Sequence, residues 1–383
     1  MTGWQDHENR DGKNGLCRTF INETERNNMS EIKTIERVQI RASEEEIRKF
    51  FDRLDQESEN MPGFHIMFGR HILLLKFQNE ETADRYRAFL KLSLTEYAGE
   101  PDTTITIWQG KIEDYLNLKD SPAHASCWEY TGEDGFIRYV KWQGRMVAYH
   151  APENRHYIIM SGPLDEYVPF WAPFHWEFHN FSMSHGYAFV HSGAVGLNGE
   201  GVLISSVGGG GKSTTVLSCL LDGFDYVADD YLILEKGNVA AYPLYNSGLL
   251  NGDSLKRLPE LRPLIFCDDP RKPDRYIIDL SGFGNQFRRG MKIKAVVRPR
   301  VRHADEPQGE ALIRKDPLHA GKTQMLVSSA RQNGFVMMKD QDALHSLFDA
   351  VSGLPSYELL LSPDRQSNCR ALRNLLHDLS ERN

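Results

Sequence analysis

No apolar run in this chain approaches the roughly 20 residues that a membrane-spanning helix needs, so no membrane partner is expected. Surplus positive charge is also missing. The 45 basic side chains are outnumbered by 53 acidic ones, and the net charge of −8 argues against a dedicated nucleic-acid binder. Cysteine is scarce: Cys17, Cys127, Cys219, Cys267 and Cys369 are far apart, odd in number and never spaced C-x-x-C. That usage fits free thiols in a reducing cytoplasm, the expected location. The first ten residues are polar and lack the apolar centre of a signal peptide, so secretion is not expected. Internal repeats and extended low-complexity segments are absent as well.

What the chain does have is ordinary globular composition, 40% hydrophobic and 26% charged over 383 residues, enough for about two domains. Residues 1–30 are rich in Asn, Asp, Glu, Gly and Arg and read as a disordered tail, with Met29 as an alternative start. Residues 31–185 read as a smaller N-terminal α/β domain. Ser43 before three glutamates predicts a helix start, continued by Ile47, Phe50, Phe51 and Leu54. Strands are expected at His71 to Phe77, Thr103 to Trp108 and Ile137 to Ala148, and a second helix at Glu81 to Tyr97. Residues 163–185 carry aromatics and histidines at spacings that suggest a helix packed on the next domain. His175 and His179 stand at i, i+4, a spacing that metal sites use, but without a third ligand at matching spacing a buried aromatic helix is the better reading.

Residues 186–383 read as the catalytic half. Strands are expected at Tyr187 to Val190 and Gly201 to Ser205, joined by a turn over Gly196 to Gly199. Val202, Leu203 and Ile204 then lead into Ser-Ser-Val and four glycines, Gly208, Gly209, Gly210 and Gly211, followed by Lys212, Ser213 and Thr214. Val216, Leu217, Leu220 and Leu221 recur at helical spacing, so a strand, a glycine loop, Lys-Ser and a helix succeed one another. This is the context of a phosphate-binding loop. Glycines let backbone N–H groups approach a polyphosphate, and the helix N-terminus adds its positive end. Lys212 is placed for the β- and γ-phosphates and Ser213 for Mg²⁺. Ser206 occupies the place of the first glycine in the usual pattern. ATP and Mg²⁺ are the expected cofactors.

Asp229 and Asp230 follow Lys212 by 17 and 18 residues, a span that one helix and one strand can fill to bring the chain back to the loop. One carboxylate can reach the metal while its neighbour accepts a proton from an incoming hydroxyl. A solvated Asp-Asp turn is the plain alternative. Arg288, Arg289, Arg298 and Arg300 could supply positive charge to an anionic substrate, though solvated surface is the commoner fate of such residues. Gly282 to Gly284 could form a mobile loop over the site.

His191, the Gly-Val-Leu-Ile strand, Gly-Lys-Ser and the run Val227 to Asp230 together resemble the HPr kinase/phosphorylase family, over roughly residues 186–383. The match is nearer to its relatives among bacterial peptide-modifying enzymes, including lasso-peptide kinases, which share their nucleotide fold distantly with phosphoenolpyruvate carboxykinases. The resemblance implies an α/β fold with a P-loop kinase domain. It implies that Lys212 binds phosphates, Ser213 and Asp230 hold the metal, and Asp229 takes the hydroxyl proton. His191 would bond near the γ-phosphate or tune Asp229. Thr214 stands where HPr kinases usually carry Glu, and their downstream signature is missing, so the nucleotide site carries over while HPr as substrate does not.

The expected function is ATP-dependent transfer of the γ-phosphoryl group to a hydroxyl, a Ser or Thr of a peptide or small protein. A phosphoenolpyruvate-carboxykinase-like enzyme and a nucleotide-binding regulator with little turnover are the alternatives. A homo-oligomer is compatible with the resemblance.

Overall fold

A computed structural model describes residues 37–117, 125–164, 168–270, 272–303, 305–332 and 341–381. The expected tail at 1–30, with Met29 and Cys17, lies outside them, as does Tyr167. The described residues form a mixed α/β fold built on two large sheets and one small one.

The first sheet comprises β1 (Arg37–Gln39), β2 (Gly63–Phe68), β3 (His71–Phe77), β4 (Leu94–Thr95), β5 (Thr103–Gln109), β6 (Cys127–Gly132), β7 (Gly135–Val140), β8 (Arg145–His150) and β9 (Arg155–Met160). They lie in the order β1-β6-β7-β8-β9-β5-β3-β2-β4. Helix α1 (Glu44–Ser58) starts at a capping box. The Ser43 side chain accepts from Glu46 N, and the Glu46 carboxylate accepts from Ser43 N, so two otherwise orphaned donors are satisfied. Ile47, Phe51 and Leu54 then face the core, as their spacing predicts.

Two expectations in this half are corrected. The helix expected from Glu81 to Tyr97 is α2 (Glu80–Arg87) and ends ten residues earlier; Leu94 and Thr95 pair with Ile66 and His65 as β4. Asn246 fixes that departure from helix, its Oδ1 accepting from Lys91 N and its Nδ2 donating to Ala88 O. The strand expected at Ile137 to Ala148 is a hairpin of β7 and β8, turned at Gly144 with φ 53°.

Helix α3 (His175–Ser184) follows, and its aromatic face joins the two large sheets. It is shorter than the aromatic run 163–185, because Phe174 takes a left-handed φ of 62° just before it. Phe178 lies 5.2 Å from Phe68 of the first sheet and 6.1 Å from Phe189 of the second, ring centre to ring centre. One buried cluster therefore runs from Phe64 and Phe77 through Phe178 to Tyr231 and Tyr245.

The second sheet contains β10 (Tyr187–His191), β11 (Gly193–Leu197), β12 (Glu200–Ile204), β13 (Asp225–Ala228), β14 (Tyr231–Glu235), β15 (Ala240–Tyr242), β19 (Met291–Arg300), β20 (Leu312–Lys315) and β21 (Ser356–Leu360). Its order is β10-β14-β15-β19-β12-β11-β13, with β21 also on β19 and β20 on β21. The small sheet is β16 (Ser247–Asn251), β18 (Arg275–Asp279) and β17 (Ile265–Asp268), in that order. The expected connection over Gly196 to Gly199 is tighter. Gly196 is a strand residue of β11, and only Asn198 and Gly199, at φ 53° and 79°, make the turn into β12.

Strands β12, β19 and β21 are parallel, so their carboxyl ends share one edge, where open α/β sheets bind ligands. Both faces of this sheet are covered. Helices α4 (Lys212–Leu221) and α8 (Arg365–Glu381) bury Val202 and Ile204 on one side. Helices α6 (Ala320–Gln332) and α7 (Gln341–Ser352) bury Leu203 on the other. That double burial is why the run before the loop is apolar without alternation. Helix α5 (Gly252–Arg257) follows β16. No helix among the described residues is long and apolar enough to cross a membrane.

Candidate functional site

The glycine loop leaves the carboxyl end of β12 and opens α4. Gly209 and Gly211 have φ of 79° and 96°, the left-handed region that glycine enters without strain. Ser206 is not among the positive-φ residues, so the place where the usual pattern has glycine tolerates a side chain here. The close approach is at Gly210 instead, where a Cβ would come within 2.9 Å of Ser206 Cβ. Gly210 N donates to Val207 O at 2.9 Å and closes the turn. Cβ atoms on Gly208 or Gly209 would meet nothing within 4 Å, so the space before the loop is open. The α4 N-cap, Gly211, makes no side-chain capping bond, which leaves the helix start without a side-chain acceptor. Positive-φ glycines, open space and an uncapped helix start fit a polyphosphate.

Lys212 turns back from the first position of α4. Its Nζ donates to Asp230 Oδ1 at 2.7 Å and to Asp229 O at 2.6 Å. His191, at the end of β10, reaches the same Asp230 oxygen through Nε2 at 2.8 Å, so Nε2 carries the proton in this contact. The family resemblance implies a His191 near the γ-phosphate or tuning Asp229, whereas the structure bonds it to Asp230. Gln332 adds a third layer: its Nε2 is 3.3 Å from His191 Nδ1 while its Oε1 accepts from Tyr231 OH.

The two aspartates sit in the bend between β13 and β14 and have opposite surroundings. Asp230 keeps 19% of its side chain exposed. Burial would raise its pKa, but the Lys212 ammonium and His191 outweigh burial and hold it well below the ordinary carboxylate value. Asp229 is 1% exposed. Burial pushes its pKa up, with Lys212 opposing and the Asp230 charge adding to the rise. Leu249 N donates to its Oδ2 at 3.3 Å. Its Oδ1 is buried and finds no hydrogen-bond partner among the described residues. A basic carboxylate with one uncommitted oxygen is thus set beside a strongly acidic one.

A small compartment of about 10 Å³, the size of one water, adjoins Asp229 and is walled by Trp171, Tyr245, Ser247 and Leu249. Ser247 Oγ donates to Trp171 O at 2.6 Å and Tyr245 OH to Pro173 O at 2.5 Å, which tie the segment before α3 over the carboxylate. These walls were not legible in the sequence. The aromatic run was visible, but nothing in it shows which ring meets Asp229, and the Leu249 contribution is a backbone N–H.

The remaining site candidates divide. Ser213 is half-buried next to Lys212 and close enough to Asp229 to oppose the rise in its pKa. The Thr214 hydroxyl is 2.9 Å from Ser254 Oγ on α5, which leaves Thr214 only its backbone for a phosphate cradle. No cluster of three or more His, Cys, Asp or Glu that could hold a metal exists among the described residues. Mg²⁺ is commonly held by one or two protein oxygens plus phosphate and water, so Ser213 and Asp230 are a donor set that fits it. His175 packs its ring 4.1 Å from Tyr231, and His179 is buried. Arg288 pairs with Asp225 at 2.5 Å, whereas Arg298 and Arg300 border the glycine loop. Gly282 to Gly284 lie in short 3₁₀ turns with Phe283 packed on the core.

No family model matches this chain, and no curated protein matches it. Among solved structures, it is similar to the HPr(Ser) kinase/phosphatase from Coxiella burnetii at 15% identity and a TM-score of 0.29, over 51% of this chain and 99% of that one. What this site does is therefore read from its own geometry.

Proposed function

We propose that the chain is an ATP- and Mg²⁺-dependent phosphotransferase whose acceptor is a hydroxyl, a Ser or Thr of a peptide or small protein. One observation carries the reading. A lysine at the start of the helix after a glycine loop shares Asp230 with His191, beside a buried Asp229 with an unpaired oxygen.

The residues divide the work. Backbone N–H groups of Gly208, Gly209 and Gly211 to Ser213 cradle the phosphates, and Lys212 exchanges Asp230 for the β- and γ-phosphate oxygens. Mg²⁺ held by Ser213 and Asp230 would offset the charge of those oxygens. His191 keeps Asp230 oriented when Lys212 leaves it. Asp229, whose raised pKa makes it the better base of the two, accepts the acceptor's proton through Oδ1. The acceptor oxygen bonds to the γ-phosphorus, the bond from that phosphorus to the β-bridging oxygen breaks, and ADP leaves.

The test is transfer of label from γ-labelled ATP to a panel of Ser- and Thr-containing peptides, followed by mass spectrometry. Transfer that survives Asp229→Asn would contradict the role of the base. A nucleotide-binding regulator with little turnover is the second reading. The one-water compartment at Asp229 favours it, because no larger acceptor reaches the carboxylate unless the Trp171 segment moves.

A further inference from the structure

The segment from Val168 to Phe174, just before α3, takes no part in the transfer chemistry above, yet it roofs the base. Trp171 and Ala172 are its contribution to the compartment at Asp229; the rest of the lining comes from within residues 228–231 and 245–249. The space left beside the carboxylate holds one water, so a serine or threonine side chain reaches Asp229 Oδ1 only after this roof lifts.

Three hydroxyl groups hold the segment down, each donating to one of its carbonyls. Tyr86 on α2 bonds Val168 O at 2.6 Å, Ser247 on β16 bonds Trp171 O at 2.6 Å, and Tyr245 just before β16 bonds Pro173 O at 2.5 Å. A stretch fixed by separate side-chain bonds, rather than by a helix or a sheet ladder, is the kind that opens locally while the core stays folded. Its end is strained as well: Phe174 has φ 62°, a region that a bulky side chain occupies only when its surroundings force it.

The closed position is nevertheless the favoured one, because Val168, Phe170 and Trp171 are buried in it and opening exposes them. Whatever lifts the segment must bind the open form better than the closed one. A small alcohol has little surface with which to offset that exposure, whereas a polypeptide can cover the freed Trp171 and Phe170.

Resting on the reading of Asp229 as the base, we propose that residues 168–174 form an autoinhibitory strap. Three hydroxyls latch it over the carboxylate, and a polypeptide acceptor has to displace it before transfer starts. The latch, not the phosphate loop, then decides which hydroxyls are used.

The test follows access to Asp229 and needs neither nucleotide nor acceptor. The full-length wild type, Tyr86→Phe and Tyr245→Phe are treated with a water-soluble carbodiimide and an amine, and labelling of Asp229 is followed by peptide mass spectrometry against the exposed Asp253. The reagent is larger than one water, so it reports opening. Each variant loses one hydroxyl and no ring, and Tyr86 lies outside the compartment lining, which its variant leaves intact. Both should label Asp229 about three- to tenfold faster than the wild type, the effect of one hydrogen bond on the opening equilibrium. Hydrogen exchange of the wild type in low urea separates opening from unfolding: amides of 168–174 should exchange faster than those of β12 and respond weakly to urea. One labelling rate in all three proteins, zero included, or strap amides that exchange only together with β12, overturns the strap. That result leaves the base assignment untouched, which the Asp229→Asn transfer assay decides separately.

Discussion

Lys212 is bonded to Asp230: its ammonium lies 2.7 Å from the carboxylate oxygen that His191 also contacts. On the proposed reading, the lysine that would bind phosphate and the aspartate that would hold Mg²⁺ neutralise each other in the structure. On that reading, nucleotide binding would open this pair, replacing the carboxylate with phosphate on one side and the ammonium with Mg²⁺ on the other. Neither charge is left exposed in the low dielectric of the site in either state.

Asp229→Asn should lower phosphoryl transfer by about 10²–10⁴-fold, the usual contribution of a positioned base, while nucleotide binding persists. The same substitution should stabilise the fold at neutral pH. A carboxyl whose native pKa is raised opposes folding once it ionises, and an amide does not. Urea denaturation at pH 7 reads the gain, which should vanish below the ordinary carboxylate pKa, where the unfolded chain is protonated too.

The pH dependence separates the two aspartates. Transfer should fall on the acid side at a pH above that of an ordinary aspartate, because Asp229 must be ionised to accept a proton. Asp230 acts in the opposite sense. Its pKa is depressed in the fold, so its stabilisation is complete above the ordinary carboxylate pKa and is lost as pH falls through the depressed value. Rate and stability profiles measured on one preparation should show activity failing well before the fold does.

Loop position decides which residue must be glycine. Gly211→Ala places a Cβ at φ 96° and 2.7 Å from Leu361 Cδ1, so it should cost more than ~1 kcal/mol and weaken nucleotide binding. Ser206→Gly should leave nucleotide affinity within about threefold, since position 206 is outside the left-handed region. A large gain in affinity from Ser206→Gly would show that the serine impairs the cradle.

The aromatic cluster between the sheets should be the costliest core to open. Phe178 touches the rings of Phe68, Phe174, Phe189 and Tyr245 and is fully buried. Phe178→Ala should destabilise the protein by about 3–5 kcal/mol in chemical denaturation.

The strand, glycine turn and helix around Lys212 were legible because they are contiguous in the sequence. The strand at His71–Phe77 and the capping box at Ser43 were legible for the same reason. The helix that stops at Arg87 was not, because its end is set by Asn246, far along the chain. The Asp229 and Asp230 pair could be placed near the loop by counting residues. Their division into a raised and a lowered pKa depends on burial under Trp171 and on which oxygen Lys212 takes, and neither has a sequence signal.

The most direct test is calorimetric titration of Mg²⁺–ATP into the folded wild type and into Lys212→Ala. Saturable heat from the wild type, with affinity at least about tenfold weaker in the variant, is the expected result. Absence of heat from the wild type, or identical isotherms for both proteins, would contradict a triphosphate gripped by this loop and its lysine.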